Sequence, residues 1–471
     1  MKKMYNPLKL NEMKKSIAIL MLLLMGLTSM AQTSVWDGSR AVWTRGAGTE
    51  NNPYLIESAS HLAFLAYMVN KGFDTYGLHF RLTTDIDLNG SEDQQWVPIG
   101  LGYKWFNEDG CDRGYAPNGF YPNTFFRGHF DGGEHSISNI YIDTDGVAGL
   151  FGIVRGTSND DLAIIENVYV TSGSIRGNNC GGIVGWDYGK TQISRCWNGA
   201  SIEGSESSGG IVGRGSHNIY NCYNIGNVSS NNYAGGIVGQ NAQEVIECYN
   251  EGEVNGTYAG GIFGYTQSAG VVIDNCYNKG SIMADGDNVP SGAPVGPAAG
   301  GIAAFLFRNS NMVSNCYNVG EISSTQDMGC IVAYTQGTVE NCYYLTSTCT
   351  ESEYGEPKDE DYMRSQEFVD LLNSRNRDQK WGLDVDNIND GFPILVEDNL
   401  AVSEVSETAF LVYPNPAKSM FTVEGVGLVR ITNVMGQHVG AREINGQGTF
   451  VLPRGMYFVT LNGKTRKVVV E

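Results

Sequence analysis

The chain has 471 residues, more than one ordinary compact domain holds, unless units stack into an elongated repeat. Only 17% of residues are charged while Gly supplies 61 positions and Tyr 25, a profile that excludes disorder and coiled coil and favours a Gly-rich, mostly β protein. The net charge of −20 combines +4 in residues 1–31, +4 in residues 411–471 and −28 between them, so a phosphate backbone would be repelled and no nucleic-acid partner is expected.

Lys14 and Lys15 precede the apolar run Ile17–Leu27, and Ser29-Met30-Ala31 supplies small residues at a cleavage position. Residues 1–31 therefore read as a secretory signal peptide, with no membrane-spanning segment in the mature chain. Residues 32–136 read as an N-terminal cap and first strands. Within them Ser60–Lys71 places Leu62, Leu65, Ala66 and Val69 on one helical face.

Between residues 137 and 346 one line recurs: an aliphatic residue, two others, a slot residue and an aromatic, followed by Asn in the five copies from Cys196 to Cys316. The slots are Ile140, Val168, Cys196, Cys222, Cys248, Cys276, Cys316 and Cys342. A second signature lies between them, as in Gly181-Gly-Ile-Val-Gly185 and Gly235–Gly239. Short β-branched and aromatic runs separated by Gly, Asn and Ser predict strands and turns with no helix. No unit can bury its apolar side alone, so copies must stack in parallel about 4.8 Å apart. The expected fold is all-β, a parallel β-helix of about eight coils with a cap at each end. Paired glycines suit tight corners. Slot thiols read as core, because Ile140 and Val168 in the same slot cannot ligate metal.

The aromatics after the slots (Tyr141, Tyr169, Trp197, Tyr223, Tyr249, Tyr277, Tyr317 and Tyr343) should point outward and line up. They serve either as mutually stacked rings or as a platform for flat ligands, the first being favoured. Asn198, Asn224, Asn250, Asn278 and Asn318 should satisfy turn backbone beside them. Cys111, Cys180, Cys330 and Cys349 lie off the row, and the sequence leaves their pairing open.

Two loops exceed what the repeat needs, Met283–Ala299 and Leu101–Thr124. The second carries Tyr103, Trp105, Phe106, Tyr115 and Tyr121, the expected ligand-binding residues, since long loops on a rigid scaffold carry binding. Residues 347–397 read as a C-terminal cap, with a helix at Asp361–Asn373 and a strand at Phe392–Val396, and 398–410 as a linker. Residues 411–471 show strand patterning at Phe421–Val423, Val429–Ile431, Tyr457–Leu461 and Lys467–Val470, enough for a small β-sandwich.

The Gly-Gly-Ile-Val-Gly and Cys-Tyr-Asn units resemble the GLUG-motif repeats of bacterial surface proteins. Trp36-Asp-Gly, Asn52–Ile56, Leu82–Leu88, Trp96–Gly100 and Phe126–Gly132 resemble the leading segment of such proteins in Bacteroidota. Val412-Tyr-Pro-Asn-Pro416, Ile431–Gln437, Leu452–Val459 and the basic Lys464–Val470 end are similar to the type A C-terminal sorting domain of the type IX secretion system. These resemblances imply delivery by that machinery through residues 411–471, display at the cell surface or outside it, and adhesion without a shared chemistry.

No zinc-protease, nucleophile-elbow or phosphate-loop motif occurs, and neither a cofactor nor a metal is expected. His129, Asp131 and His135 are the nearest approach to a ligand cluster. Asp384–Gly391 imitates a calcium loop, with Ile388 where an oxygen is required. The function expected is a non-catalytic adhesin or binding scaffold for a glycan or a host or matrix protein. The alternatives are a carbohydrate-active β-helix enzyme and a structural surface-layer component.

Overall fold

The computed structural model describes residues 33–101, 124–158, 162–215, 217–286, 289, 296–350, 352–396, 410–413, 417–433, 438–461 and 464–470. From Ser34 to Lys358 the chain winds into a succession of short strands that stack as four parallel sheets, of eleven, eleven, seven and ten strands. One coil shows the plan. Glu244–Ile246 lies in the ten-stranded sheet and Tyr249–Asn250 in the first eleven-stranded sheet. Val254–Gly256 and Tyr258–Gly260 follow in the second, and Phe263–Thr266 in the seven-stranded sheet. Val272–Asp274 then lands on Glu244–Ile246 in register. The expected parallel β-helix is the fold, and its sheets begin before the repeats, at Ser34–Val35 and Tyr54–Ile56.

Stacking explains why the sequence repeats. Ile193, Ile219, Val245, Ile273 and Val313 sit directly above one another, all at most 1% exposed. Each such side chain contributes roughly 1.5–3 kcal/mol by leaving water. The six slot thiols are buried and unpaired, and each donates to the carbonyl two residues earlier, as Cys248 does to Ile246 at 3.3 Å. Burial pushes the thiols of Cys196, Cys248 and Cys316 well up, which keeps them protonated.

The residue before each slot turns left-handed, with φ of 51–56° from Asn167 to Asn341. Asn fills most of these positions because its short amide tolerates that region. The Asn after the aromatic is a different device. Asn198, Asn224, Asn250, Asn278 and Asn318 are fully buried and joined amide to amide at 2.8–2.9 Å. Each also donates to the carbonyl two residues on, as Asn250 does to Gly252 at 2.8 Å. The second glycine of each pair faces this row: a Cβ on Gly236 would overlap Asn250 and the Gly261 carbonyl. Where the row ends, with Tyr344 above Asn318, Cys330 takes the glycine's place and forms a disulfide with Cys349.

The first apparent copy is out of register, a correction to the sequence reading. Ile137 pairs with Val170 rather than Ile165, and Ile140–Asp143 belongs to the second sheet against Gly173–Arg176. Phe130 takes the place below Ile165 instead. Tyr141 therefore stands outside the ring row, which begins at Tyr169.

The N-terminal helix runs Ala59–Asn70, capped by the Ser58 hydroxyl accepting from His61 N at 3.2 Å, and buries Leu62, Leu65, Ala66 and Val69 as expected. The helix read as Asp361–Asn373 is two, Glu360–Met363 and Gln366–Asn373, because Ser365 breaks the first and caps the second. The strand read as Phe392–Val396 is the shorter Ile394–Leu395, antiparallel to Trp381–Gly382. This segment lies along the flank of the coils: Trp381 packs on Tyr277 and Tyr317, and Phe368 on Tyr317 and Tyr343.

Residues 411–470 form a separate five-stranded antiparallel sheet with its own core of Phe421, Val423, Val429, Ile431, Ile444, Val459, Leu461 and Val468. Phe421–Val423 and Val429–Ile431 are the two halves of one strand, Met420–Asn433, paired with His438–Val451, which the sequence patterning missed. Its glycines interrupted the alternation: Gly427 and Gly446 lie in the left-handed half of backbone space, at φ of 134° and 104°.

Candidate functional site

Residues 102–123 lie outside the described part of the chain, and with them Tyr103, Trp105, Phe106, Tyr115 and Tyr121. The roots of that loop are described. Asn70, the last residue of the N-terminal helix, accepts from Gly100 N at 2.9 Å and Leu101 N at 3.0 Å, and donates to the Pro98 carbonyl at 2.9 Å. At the other root Phe125 and Phe126 are buried, and Phe126 N donates to the Ile153 carbonyl at 3.1 Å. Gly100 also accepts from Ile153 N at 2.7 Å, so both roots are fixed to Phe151–Val154, the first strand of the seven-stranded sheet.

Beside them a chain of rings and guanidinium groups crosses the outer face of that sheet. The Arg155 guanidinium lies 5.3 Å from the Phe125 ring and 5.3 Å from the Tyr188 ring. Tyr188 meets Trp186 edge to face at 5.3 Å, and Arg214 covers the Trp186 ring at 5.0 Å. The strand's alternation produces this: Trp186 points out, stacked between Ile153 and Arg214, while Asp187 is buried and accepts from His217 N at 3.2 Å. Tyr188 is 46% exposed. A large exposed ring among Arg donors offers an apolar face and hydrogen bonds together, the combination a sugar or a peptide side chain requires. Sequence reasoning missed these residues, although Trp186 marks a departure from the repeat that could have shown them: Arg214 and Gln240 occupy its register.

The ring row on the first sheet is of another kind. Trp197, Tyr223, Tyr249, Tyr277 and Tyr317 stack at 4.7–5.5 Å with interplanar angles of 2–6°. Their faces are spent on one another and only edges point outward, so the row does not present faces to flat ligands. Tyr277, Tyr317 and Tyr343 are in addition buried beneath the C-terminal segment.

His129, Asp131 and His135 do not converge. His129 Nε2 lies 2.6 Å from Glu166, which it holds below the usual carboxylate range. His135 Nδ1 is 3.2 Å from Asp85, whereas Asp131 accepts from Gly133 N at 2.8 Å and from Asn167 at 2.9 Å. The calcium-like segment is closed by its own backbone: Asp384 accepts from the N–H groups of Ile388, Asn389 and Gly391 at 2.7–2.9 Å. Among the described residues no group of three or more His, Cys, Asp or Glu side chains is placed to hold a metal ion. Two shallow cavities, about 330 and 280 Å³, open on the ten-stranded sheet. In the first, Glu340 pairs with Arg375 and Asp274 accepts from Ser314 and Asn315 at 2.7 and 2.8 Å. The second is lined by Lys190, His217 and Glu244, and Tyr220 donates to that carboxylate.

Comparison with known proteins locates one assigned domain and several distant likenesses. Residues 411–471 match the secretion system C-terminal sorting domain family. A stretch of 202 residues, 39% of this chain, is 29% identical to 22% of a protein named "Putative Gly-rich membrane protein" from Evansella cellulosilytica. Another of 177 residues, 37% of the chain, is 30% identical to 2% of halomucin from Haloquadratum walsbyi. The chain thus spans well under two thirds of the length of these relatives. The crystal structure of a "putative immunoglobulin A1 protease" from Bacteroides ovatus is 22% identical, with a TM-score of 0.46, and the match covers 75% of this chain and 95% of that one. Among the described residues no helix is long and apolar enough to cross a membrane. The sorting domain at residues 411–471 marks the protein for export by the type IX secretion system to the cell surface or the extracellular space, and implies interaction with that machinery.

Proposed function

We propose that the protein is a GLUG-type surface adhesin of the Bacteroidota kind, a non-catalytic scaffold that binds a glycan or a host or matrix protein after export. Residues 1–31 act as its signal peptide for the first membrane. The observation that carries the reading is the run of exposed Tyr188 with half-buried Trp186 and Arg214 on the seven-stranded sheet, next to the root of the loop 101–124. Tyr103, Trp105, Phe106, Tyr115 and Tyr121 are the ligand-binding residues proposed within that loop. A flat, open face suits a polymer or a protein surface better than a small substrate that must be enclosed.

The purified mature chain, tested on arrays of glycans and matrix proteins, should retain a ligand without releasing new reducing or unsaturated sugar ends. Tyr188→Ala with Trp186→Ala should lower that affinity at least tenfold, about 1.4 kcal/mol. Trp105→Ala with Tyr103→Ala should do the same while the unfolding midpoint stays near the parent's. Turnover of the retained glycan would replace this reading with an enzyme. Ordered self-assembly with no ligand would replace it with a structural layer.

A further inference from the structure

The ring row is covered in two pieces. The C-terminal segment shields Tyr277, Tyr317 and Tyr343, and the neighbouring rings Trp197, Tyr223 and Tyr249 continue the same stripe half-buried. Against the first of these, Trp197, lies the sorting tail. Phe458 meets Trp197 with ring centroids 6.1 Å apart. Lys467 reaches Glu251 at 3.3 Å, and Arg466 pairs with Asp386. Glu251 is shared with Lys279 at 3.8 Å, and Lys279 also binds Asp390 at 2.7 Å.

Of the tail residues involved, Phe458 and Lys467 belong to a face that its own core does not use, whereas Arg466 lies opposite inward-facing Val459, over the Phe410 ring. In Gly455–Leu461 the residues Tyr457, Val459 and Leu461 turn inward, and Phe458 and Thr460 turn outward. In the paired strand Val468 and Val470 turn inward, and Lys467 lies opposite Phe458. Phe458 and Lys467 are nonetheless half-buried, which is the signature of a covered outer face. Charge acts in the same direction: the tail carries +4 and the body −28.

We propose that the flank formed by Trp197, Tyr223, Tyr249, Glu251 and Asp386 is a docking surface whose occupant is the chain's own residues 411–471. The tail is stowed along the coils, latched by Phe458, Lys467 and Arg466, and it uncovers the Trp197 end of the ring row when it leaves. The ion pairs are partly exposed, so salt weakens the latch. The Debye length falls from about 10 Å at 0.1 M to about 3 Å at 1 M. This inference is independent of the adhesin reading, because it concerns the other face of the coils.

The test is zero-length carbodiimide crosslinking of the purified mature chain followed by peptide mass spectrometry, in an equal mixture of ¹⁴N- and ¹⁵N-labelled protein. At low salt a Lys467–Glu251 crosslink of a single isotopic label should form. It should be lost near 1 M salt and in Phe458→Ser. Small-angle scattering should then show a larger maximum dimension at unchanged mass. Lys467→Glu should extend the molecule in the same way, and Lys467→Glu with Glu251→Lys should restore the compact scattering curve. All three substitutions lie on outer faces, and circular dichroism checks that both cores remain folded. Mixed-label crosslinks would place the tail on a second copy. An extended wild-type molecule at low salt, or variants that scatter like the parent, would overturn the proposal outright.

Discussion

At the scale of single residues, the repeat is governed by one left-handed step per coil. Asn167, Asn221, Asn275, Asn315 and Asn341 take it, and Arg195 and Glu247 take it without the Asn side chain that suits it. For an ordinary L-residue that step costs roughly 1–2 kcal/mol. Arg195, itself exposed, is compensated by an ion pair with half-buried Glu166 and a 2.8 Å bond to Asn167. Exposed pairs return about 0–1 kcal/mol. Arg195→Asn should therefore leave stability equal or higher by up to about 1 kcal/mol. A denaturation midpoint clearly below the parent's would show that the ion pair outweighs the backbone. The sequence displayed this Asn as part of a motif but not its purpose, since a φ angle leaves no periodicity. The slot thiols were legible because Ile140 and Val168 stood in for Cys, although Ile140 proved to lie outside the row.

At the scale of elements, the two signatures prove to be one packing arrangement. The buried amide row presses on the second glycine of each pair, so neither can change alone. Gly236→Ala should destabilise the protein by about 3 kcal/mol or more, because neither the Asn250 amide nor the Gly261 carbonyl can withdraw from a stacked row. Gly440→Ala in the tail, where a Cβ would meet nothing within 4 Å, is the neutral control. Equal midpoints for the two variants would show that the coils can spread at the corner. Strand identity and register were readable wherever the repeat was intact. They were misread at Ile137–Tyr141, where an isolated Ile-Ser-Asn-Ile run imitates the motif one step out of place. The helix over Asp361–Asn373 was read as continuous because Ser365 interrupts it without interrupting the apolar spacing. The candidate site was less legible. Trp186, Tyr188, Arg155 and Arg214 come from three coils and meet only through stacking, and nothing in the linear sequence joins Arg155 to Tyr188.

At the scale of the whole molecule, two separate cores serve two tasks. The coils from Ser34 to Lys358 make a long acidic body, and the 411–470 sheet makes a small basic domain that carries the export signal. The tail's role was legible because its motifs are specific. A ligand was not, because binding by an open face needs no convergent set of catalytic side chains. The central claim, that residues 411–471 deliver a body able to fold without them, is tested most directly by locating a chain that ends at Thr408. Fractionation of a host that has this secretion system should find the truncated chain folded in the periplasm and absent from the surface and medium, with the full chain outside. Recovery of the truncated chain outside the cell in amounts equal to the full chain would contradict the account.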